Sequence, residues 1–318
     1  MMKKITLEEH LYPAGFSIPE AVKFLLAPDY LAQMSILVSD VEQHRLPEMD
    51  TYGIDMQVLS LPIGFQTEAD ATRAIERAKQ ANEGLAEVVR QHPTRFAGFA
   101  TLPLQSPKAA AAELERAVTE LGLKGAMVTG HTNGVMLDEQ PCWIVWERAE
   151  ALRVPVYIHP GLPLPGQGNT FYEGYPQLLG PTWAWGVETA TYALRLIFSG
   201  VLDAFPQTTI ILGHMGEMLP FVLWRLDART PFAPGHMNIK KLPSQYIKEN
   251  IMITTSGQCS SDPLLCSVAT LGAERILFAV DYPFESTKEA THFIETAPIS
   301  EADRDKICHV NTERLLRL

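Results

Sequence analysis

A chain of 318 residues, 46% hydrophobic and 20% charged with no charged low-complexity run, holds enough apolar material for a large core, which excludes a disordered polypeptide. The 37 acidic residues outnumber the 26 basic ones, and a net charge of −11 repels nucleic acid and anionic membrane. Nowhere do about 18 apolar residues run together, the minimum for a spanning helix, so neither a nucleic-acid nor a membrane partner is expected.

The N-terminal MMKKITLEEH lacks the apolar stretch and cleavage site of an export signal. Cys142, Cys259, Cys266 and Cys308 are scattered, with no C-x-x-C pair, so reduced thiols in the cytoplasm are expected. Along the chain, eight short runs rich in Val, Ile, Leu and Phe read as buried strands, at residues 5–11, 56–61, 96–102, 125–129, 154–159, 209–214, 251–256 and 276–281. Most are followed by a helical pattern. The helix after the second strand keeps a 3.6 period in Ala71, Ala74, Ile75, Ala78, Ala81, Leu85, Val88 and Val89. The next is expected to open with Ser106 as N-cap and Pro107 at its first position, and to stop at Gly122. Two connections are long, residues 12–39 and the Pro- and Gly-rich 160–181. Eight alternations without a linker predict an α/β protein, a (β/α)8 TIM barrel forming one domain over residues 1–318. Both long connections then lie on its catalytic end.

Chemistry concentrates where strands end. Residues two apart on a strand share a face, so Glu8 and His10 point together and Glu9 points away. Three more strands deliver His159, His214 and Asp281 at the edge where barrel enzymes work. Burying so many ionisable groups costs several kcal/mol each without a counter-ion. A divalent cation held by Glu8, His10, His159 and Asp281 removes that cost, and two imidazoles with two carboxylates suit Zn2+ or Mn2+. His214 and Glu217, in a GHMGE turn, read as a proton-transfer dyad. Two alternatives stay open: His214 as a fifth ligand, and Glu217 as an acid that favours the positive end of the following helix. Trp183, Trp185, Tyr282 and Phe284 could line an aromatic pocket. The other histidines, at 44, 92, 131, 236, 292 and 309, have no partner pattern, although His131 follows the fourth strand.

At these motifs the sequence resembles the decarboxylase branch of the amidohydrolase superfamily, especially gamma-resorcylate (2,6-dihydroxybenzoate) and 2,3-dihydroxybenzoate decarboxylases. The resemblance covers nearly the whole chain. It rests on LEEH ending at His10, HP at His159, LLGPTWAW ending at Trp185, ETATYALRLIFSG from Glu188, ILGHMGE ending at Glu217, WRLDAR from Trp224, ITTSG from Ile253 and FAVDYPFE ending at Glu285. It implies Glu8, His10, His159 and Asp281 as metal ligands, His214 with Glu217 as the catalytic dyad, and Arg225 near the substrate. The superfamily's hydrolases usually place H-x-H on the first strand, and binuclear ones add a lysine on the fourth; this chain has E-x-H and ends its fourth strand in Val128-Thr129-Gly130. A mononuclear, non-hydrolytic site is therefore expected. Close relatives of gamma-resorcylate decarboxylase tend to have Asn where Thr129 aligns, Arg at Gly161 and Trp at Tyr282, departures that should alter which ring substituents are recognised.

The expected reaction is loss of CO2 from an ortho-hydroxybenzoate, a chemically reversible step in which the ring carbon is protonated before the C–C bond breaks. Direct loss of CO2 would leave an aryl anion in the ring plane, which the π system cannot delocalise. Asp281 is expected to donate the proton at the metal, with His214 and Glu217 setting its protonation, and no organic cofactor is needed. Thr129, Tyr282, Phe284 and Arg225 are the candidate substrate contacts. One alternative is a metal-dependent hydrolase of a lactone or amide on the same barrel; another is a non-catalytic barrel that binds an aromatic acid. Relatives imply a homodimer or homotetramer.

Overall fold

The computed structural model describes residues 2–23, 25–63, 67–162, 172–234 and 239–318. Each of the eight apolar runs yields a strand: β1 Ile5–His10, β2 Met56–Ser60, β3 Phe96–Gly98, β4 Ala126–Thr129, β5 Val156–His159, β6 Ile210–Leu212, β7 Ile251–Thr254 and β8 Ile276–Leu277. All adjacent pairs are parallel, in two arcs running β1 to β3 and β4 to β8. Parallel bridges join the arcs at both ends, Ala100 to Ala126 and Leu7 to Ala279. The order thus returns to its start, as an eight-stranded parallel barrel requires.

The side-chain alternation of a strand sorts the core into two layers. Val58, Met127, Tyr157, Ile211, Met252 and Leu277 pack together, whereas their successors Leu59, Val128, Ile158, Leu212, Ile253 and Phe278 join the cluster that includes the helices. The former fill the barrel and the latter face its outer shell.

Some strands are shorter than their apolar runs. The run at 276–281 pairs only through Leu277, because later amides find other acceptors: Phe278 N–H donates to Ile307 O at 2.9 Å, and Val280 and Tyr282 donate to the Glu9 carboxylate. The helix Ala71–Gln91 is capped by Asp70, which accepts from Thr72 N at 2.8 Å, and it buries Ala74, Ala78, Ala81 and Leu85. The following helix, Pro107–Thr119, opens as expected with Ser106 at the N-cap and Pro107 at its first position, although the Ser106 side chain makes no capping bond. Its end corrects the expectation: the helix stops at Thr119, and Gly122 lies beyond it at φ +74°. The connection over 12–39 contains two helices, Glu20–Lys23 and Pro28–Leu37. Much of the one over 160–181 lies outside the described residues. No described helix is long and apolar enough to cross a membrane.

Candidate active site

Strict alternation from the interior Leu7 would send Glu8 outward and Glu9 in. The ladder between β1 and β2 forestalls this: Thr6 pairs with Gln57 but Glu9 pairs with Leu59, so β1 holds one extra residue. This bulge centres on Glu8 at φ +68°. Glu8 and His10 consequently both reach the interior, and Glu9 turns away between β1 and β8.

Glu8 is fully buried; its Oε2 accepts a short hydrogen bond from the Tyr157 hydroxyl. Its Oε1 lies 3.6 Å from His159 Nε2 and 3.8 Å from His214 Nε2. His10 Nε2 stands 2.9 Å from Asp281 Oδ1, and His214 Nε2 stands 3.6 Å from Asp281 Oδ2. Glu8 belongs to two groups whose potential ligand atoms all lie within 4.8 Å of one another: Glu8, His10 and His159, and Glu8, His214 and Asp281. The four expected ligands therefore gather around Glu8, and His214 enters beside Asp281.

The donor atoms fit a cation. Glu8 Oε1, His10 Nε2 and Asp281 Oδ1 are buried and make no hydrogen bond, a costly state for three polar atoms that a positive ion would relieve. His159 Nδ1 is engaged with Pro160 O at 2.6 Å and His10 Nδ1 faces Ser60 Oγ at 3.3 Å, which leaves each Nε2 free to ligate. Burial, followed by the charge of His10, pushes His159 down to about 3, so its imidazole is neutral as a ligand must be. Burial also raises the Glu8 carboxyl, outweighing His214. Burial works against the charge on Asp281 as well, but the adjacent imidazoles of His10 and His214 hold it well below the usual carboxylate range.

His214 Nδ1 is 2.7 Å from Glu217 Oε1. Burial opposes a charge on this imidazole, yet Glu217 and then Glu8 hold it well above its ordinary value. His214 thus stands as a carboxylate-paired imidazole beside Asp281. The turn carrying the pair is strained. His214, Met215, Glu217 and Met218 have φ of +47°, +59°, +52° and +67°, and Asp281 has +78°. Such conformations cost on the order of 1–3 kcal/mol each and persist only where neighbours enforce them. One neighbour is Gly213, where an added Cβ would sit 2.8 Å from Glu8 Oε2.

These groups open into a cavity of about 840 Å3, lined by His10, His159, His214, Glu217 and Asp281. Phe284, Trp183 and Trp185 also line it, with the Phe284 ring 5.8 Å from that of His10. Thr129, Tyr282 and Arg225 are not among its lining residues. The Thr129 hydroxyl donates to His131 O at 3.0 Å, Tyr282 is buried with the Arg45 guanidinium 4.4 Å from its ring centre, and Arg225 is exposed on the helix Leu219–Arg229. His131 is buried, with Nε2 2.8 Å from Leu162 O. His44, His92 and His309 each face a carboxylate, Asp40, Glu42 and Glu313, and His236 lies outside the described residues.

Residues 39–318 match the model of the family described as Amidohydrolase. The chain belongs to the amidohydrolase family. Within that family it is 43% identical over 331 residues to the gamma-resorcylate decarboxylase of Polaromonas sp. strain JS666, covering 100% of this chain and 99% of the relative. A crystal structure of 2,6-dihydroxybenzoate decarboxylase complexed with 2,6-dihydroxybenzoate superposes with a TM-score of 0.93 at 41% identity, covering 100% of both chains. The structure of the Polaromonas sp. JS666 dihydroxybenzoic acid decarboxylase, with bound manganese and the inhibitor 2-nitroresorcinol, gives 0.93 at 42% identity, covering 100% of this chain and 98% of that one. The decarboxylase branch of the amidohydrolases is therefore where this chain stands.

One functional feature of this family member escaped sequence reasoning. Glu9 Oε1 accepts from Val280 N at 3.0 Å and Oε2 from Tyr282 N at 3.2 Å, so one carboxyl grips the two amides flanking Asp281. Gln57 Nε2 donates to Glu9 at 3.4 Å while its Oε1 accepts from Arg45 Nη1 at 2.9 Å, and Arg45 Nη2 donates to the carbonyl of His10. All three side chains are buried. Burial drives the Glu9 carboxyl up to about 8. The available signal was a second acid in LEEH and a lone Gln in the buried run MQVLS, polar residues where a core strand has no use for them.

Proposed function

We propose that the protein is a metal-dependent, non-oxidative decarboxylase of an ortho-hydroxybenzoate-type acid. The observation that carries this is the set of three buried, unbonded ligand atoms on Glu8, His10 and Asp281 at the open end of the barrel. The relatives named for 2,6-dihydroxybenzoate, and the manganese in one of them, support the same reading. Glu8, His10, His159 and Asp281 would hold one divalent ion, Mn2+ or Zn2+, with His214 beside them as the proton donor. Such an ion supplies the positive charge that keeps an ortho-hydroxyl anionic and the ring electron-rich.

The side chains then handle one proton. His214, kept protonated by Glu217, passes a proton to Asp281, whose carboxyl delivers it to the ring carbon bearing the carboxylate. The C–C bonding pair returns to the ring as CO2 departs, so one proton is consumed and one C–H bond replaces the C–C bond. Solvent reprotonates His214 through the cavity mouth. Phe284 and Trp185 orient the ring, while Thr129, Tyr282 and Arg225 act from outside the cavity lining, the first two by shaping the backbone of β4 and of the segment after β8.

The same reading includes one domain over residues 1–318 and a homodimer or homotetramer. Phe221, Trp224 and Phe232, 83%, 79% and 80% exposed, support self-association. It also includes a cytoplasmic location, supported by four free cysteines. The test is to incubate purified protein with 2,6-dihydroxybenzoate and other ortho-hydroxybenzoates, and in parallel with lactones and amides, following CO2, phenol and acid release. CO2 and resorcinol release that is lost on chelation and restored by Mn2+ is expected. Hydrolysis without CO2 from any hydroxybenzoate would overturn the proposal.

A further inference from the structure

The cavity is far larger than the reaction needs. An apolar cavity of roughly 150 Å3 accommodates one benzene ring, whereas this one holds about 840 Å3. One part of its wall carries the imidazoles and carboxylates already described. Another is hydrocarbon: Ile18, Val22, Leu25 and Leu26, from the segment after β1, and Ile63 after β2. Ile18, Val22 and Ile63 are buried and form part of this wall.

The charges on the wall are equally one-sided. Glu217, Asp262, Asp281 and Glu285 line the cavity, and no lysine or arginine does. The residues outside the described set, 24, 64–66, 163–171 and 235–238, contain no lysine or arginine either. A second carboxylate on the ring, away from the imidazoles, would find hydrocarbon, other carboxylates and neutral groups such as Gln258 and Ser267, with no lysine or arginine to offset its desolvation.

We propose that the substrate is an ortho-hydroxybenzoate with an alkyl chain of several carbons on the ring, seated against Ile18, Val22, Leu25, Leu26 and Ile63, and that dicarboxylated rings are rejected. This rests on the decarboxylase reading of the same site and specifies its substrate class. The chain sits away from the reacting carbon, so it strengthens binding of ground and transition states alike and acts on KM rather than kcat.

The test compares 2,6-dihydroxybenzoate with its 4-butyl and 4-carboxy derivatives on the Mn2+-loaded enzyme. In parallel, calorimetry measures binding of resorcinol, 5-butylresorcinol and 3,5-dihydroxybenzoate, the corresponding products. Each buried methylene is worth roughly threefold to fourfold in affinity. A butyl chain should therefore lower both KM and Kd at least tenfold, with kcat within about threefold, and the second carboxylate should weaken both at least tenfold. Leu25→Arg should cancel the butyl advantage and improve the dicarboxylate, and Leu25→Ala should reduce the butyl advantage without helping the dicarboxylate. If the butyl compounds gain nothing in KM or in Kd, the inference fails while decarboxylation of the parent acid leaves the enzyme assignment standing. If no acid releases CO2 yet 5-butylresorcinol binds at least tenfold tighter than resorcinol, the reaction assignment fails and the pocket's preference survives.

Discussion

Glu9 offers the sharpest separation between holding the site and performing the reaction. In Glu9→Leu two buried backbone amides, Val280 N and Tyr282 N, lose acceptors now 3.0 and 3.2 Å away. An unsatisfied buried donor costs about 1–3 kcal/mol, so the loss should be about 2–6 kcal/mol. Glu9→Gln keeps one carbonyl oxygen and should lose only about 1–3 kcal/mol by the same reasoning. The pH dependence gives a second handle. With its folded value raised to about 8, this carboxyl favours the fold most below its unfolded value near 4.5, and that contribution is lost as pH rises through 8. Urea unfolding of the wild type and Glu9→Gln at pH 5 and pH 8.5 should show a stability gap that narrows at the higher pH. A gap that stayed constant or widened would refute the assignment of a protonated, amide-gripping carboxyl, as would a Glu9→Leu variant as stable as the wild type.

Gly213→Ala places a Cβ 2.8 Å from Glu8 Oε2 and should displace that carboxylate, cutting bound metal and activity at least about tenfold while circular dichroism shows the fold intact. Glu217→Gln removes the carboxylate 2.7 Å from His214 Nδ1 and should lower kcat by about 100-fold or more with metal content unchanged, measured by elemental analysis beside steady-state kinetics. Chelation should lower Tm, and added Mn2+ should raise it with increasing concentration, because an ion bound only by the fold stabilises by mass action. In His10→Ala that Mn2+-dependent rise in Tm should disappear.

The barrel was legible because its strands are continuous apolar runs, and four of the eight carry an ionisable residue at their end, His10, His159, His214 and Asp281. His159 and Asp281 stand out against five hydrophobic neighbours, and Glu8 with His10 follows from a two-residue period. The period alone could not place Leu7 and Glu8 on the same side, since only the extra residue in β1 does that, and a bulge has no composition of its own here. Ser106 at the N-cap and Pro107 after it were legible because both positions are read from residue type, whereas whether the side chain closes the capping bond is not. The placements of Thr129, Tyr282 and Arg225 depend on which way a side chain turns at the end of an element. Arg45 was invisible, and the partner of Gln57 with it, for a related reason: a buried polar relay consists of residues 12 positions apart in sequence with no shared motif.

The join between β8 and β1 has a consequence for the metal-free protein. Leu7 and Ala279 bridge there, and below the rim the Glu9 carboxyl stands in for further ladder bonds. Glu8 and His10 lie on one side of this seam and Asp281 on the other, so a bound ion would be a clasp across this edge of the cylinder. Stripping it should let that edge breathe, and amide exchange at Val280 and Tyr282 should accelerate well before the rest of the barrel loosens.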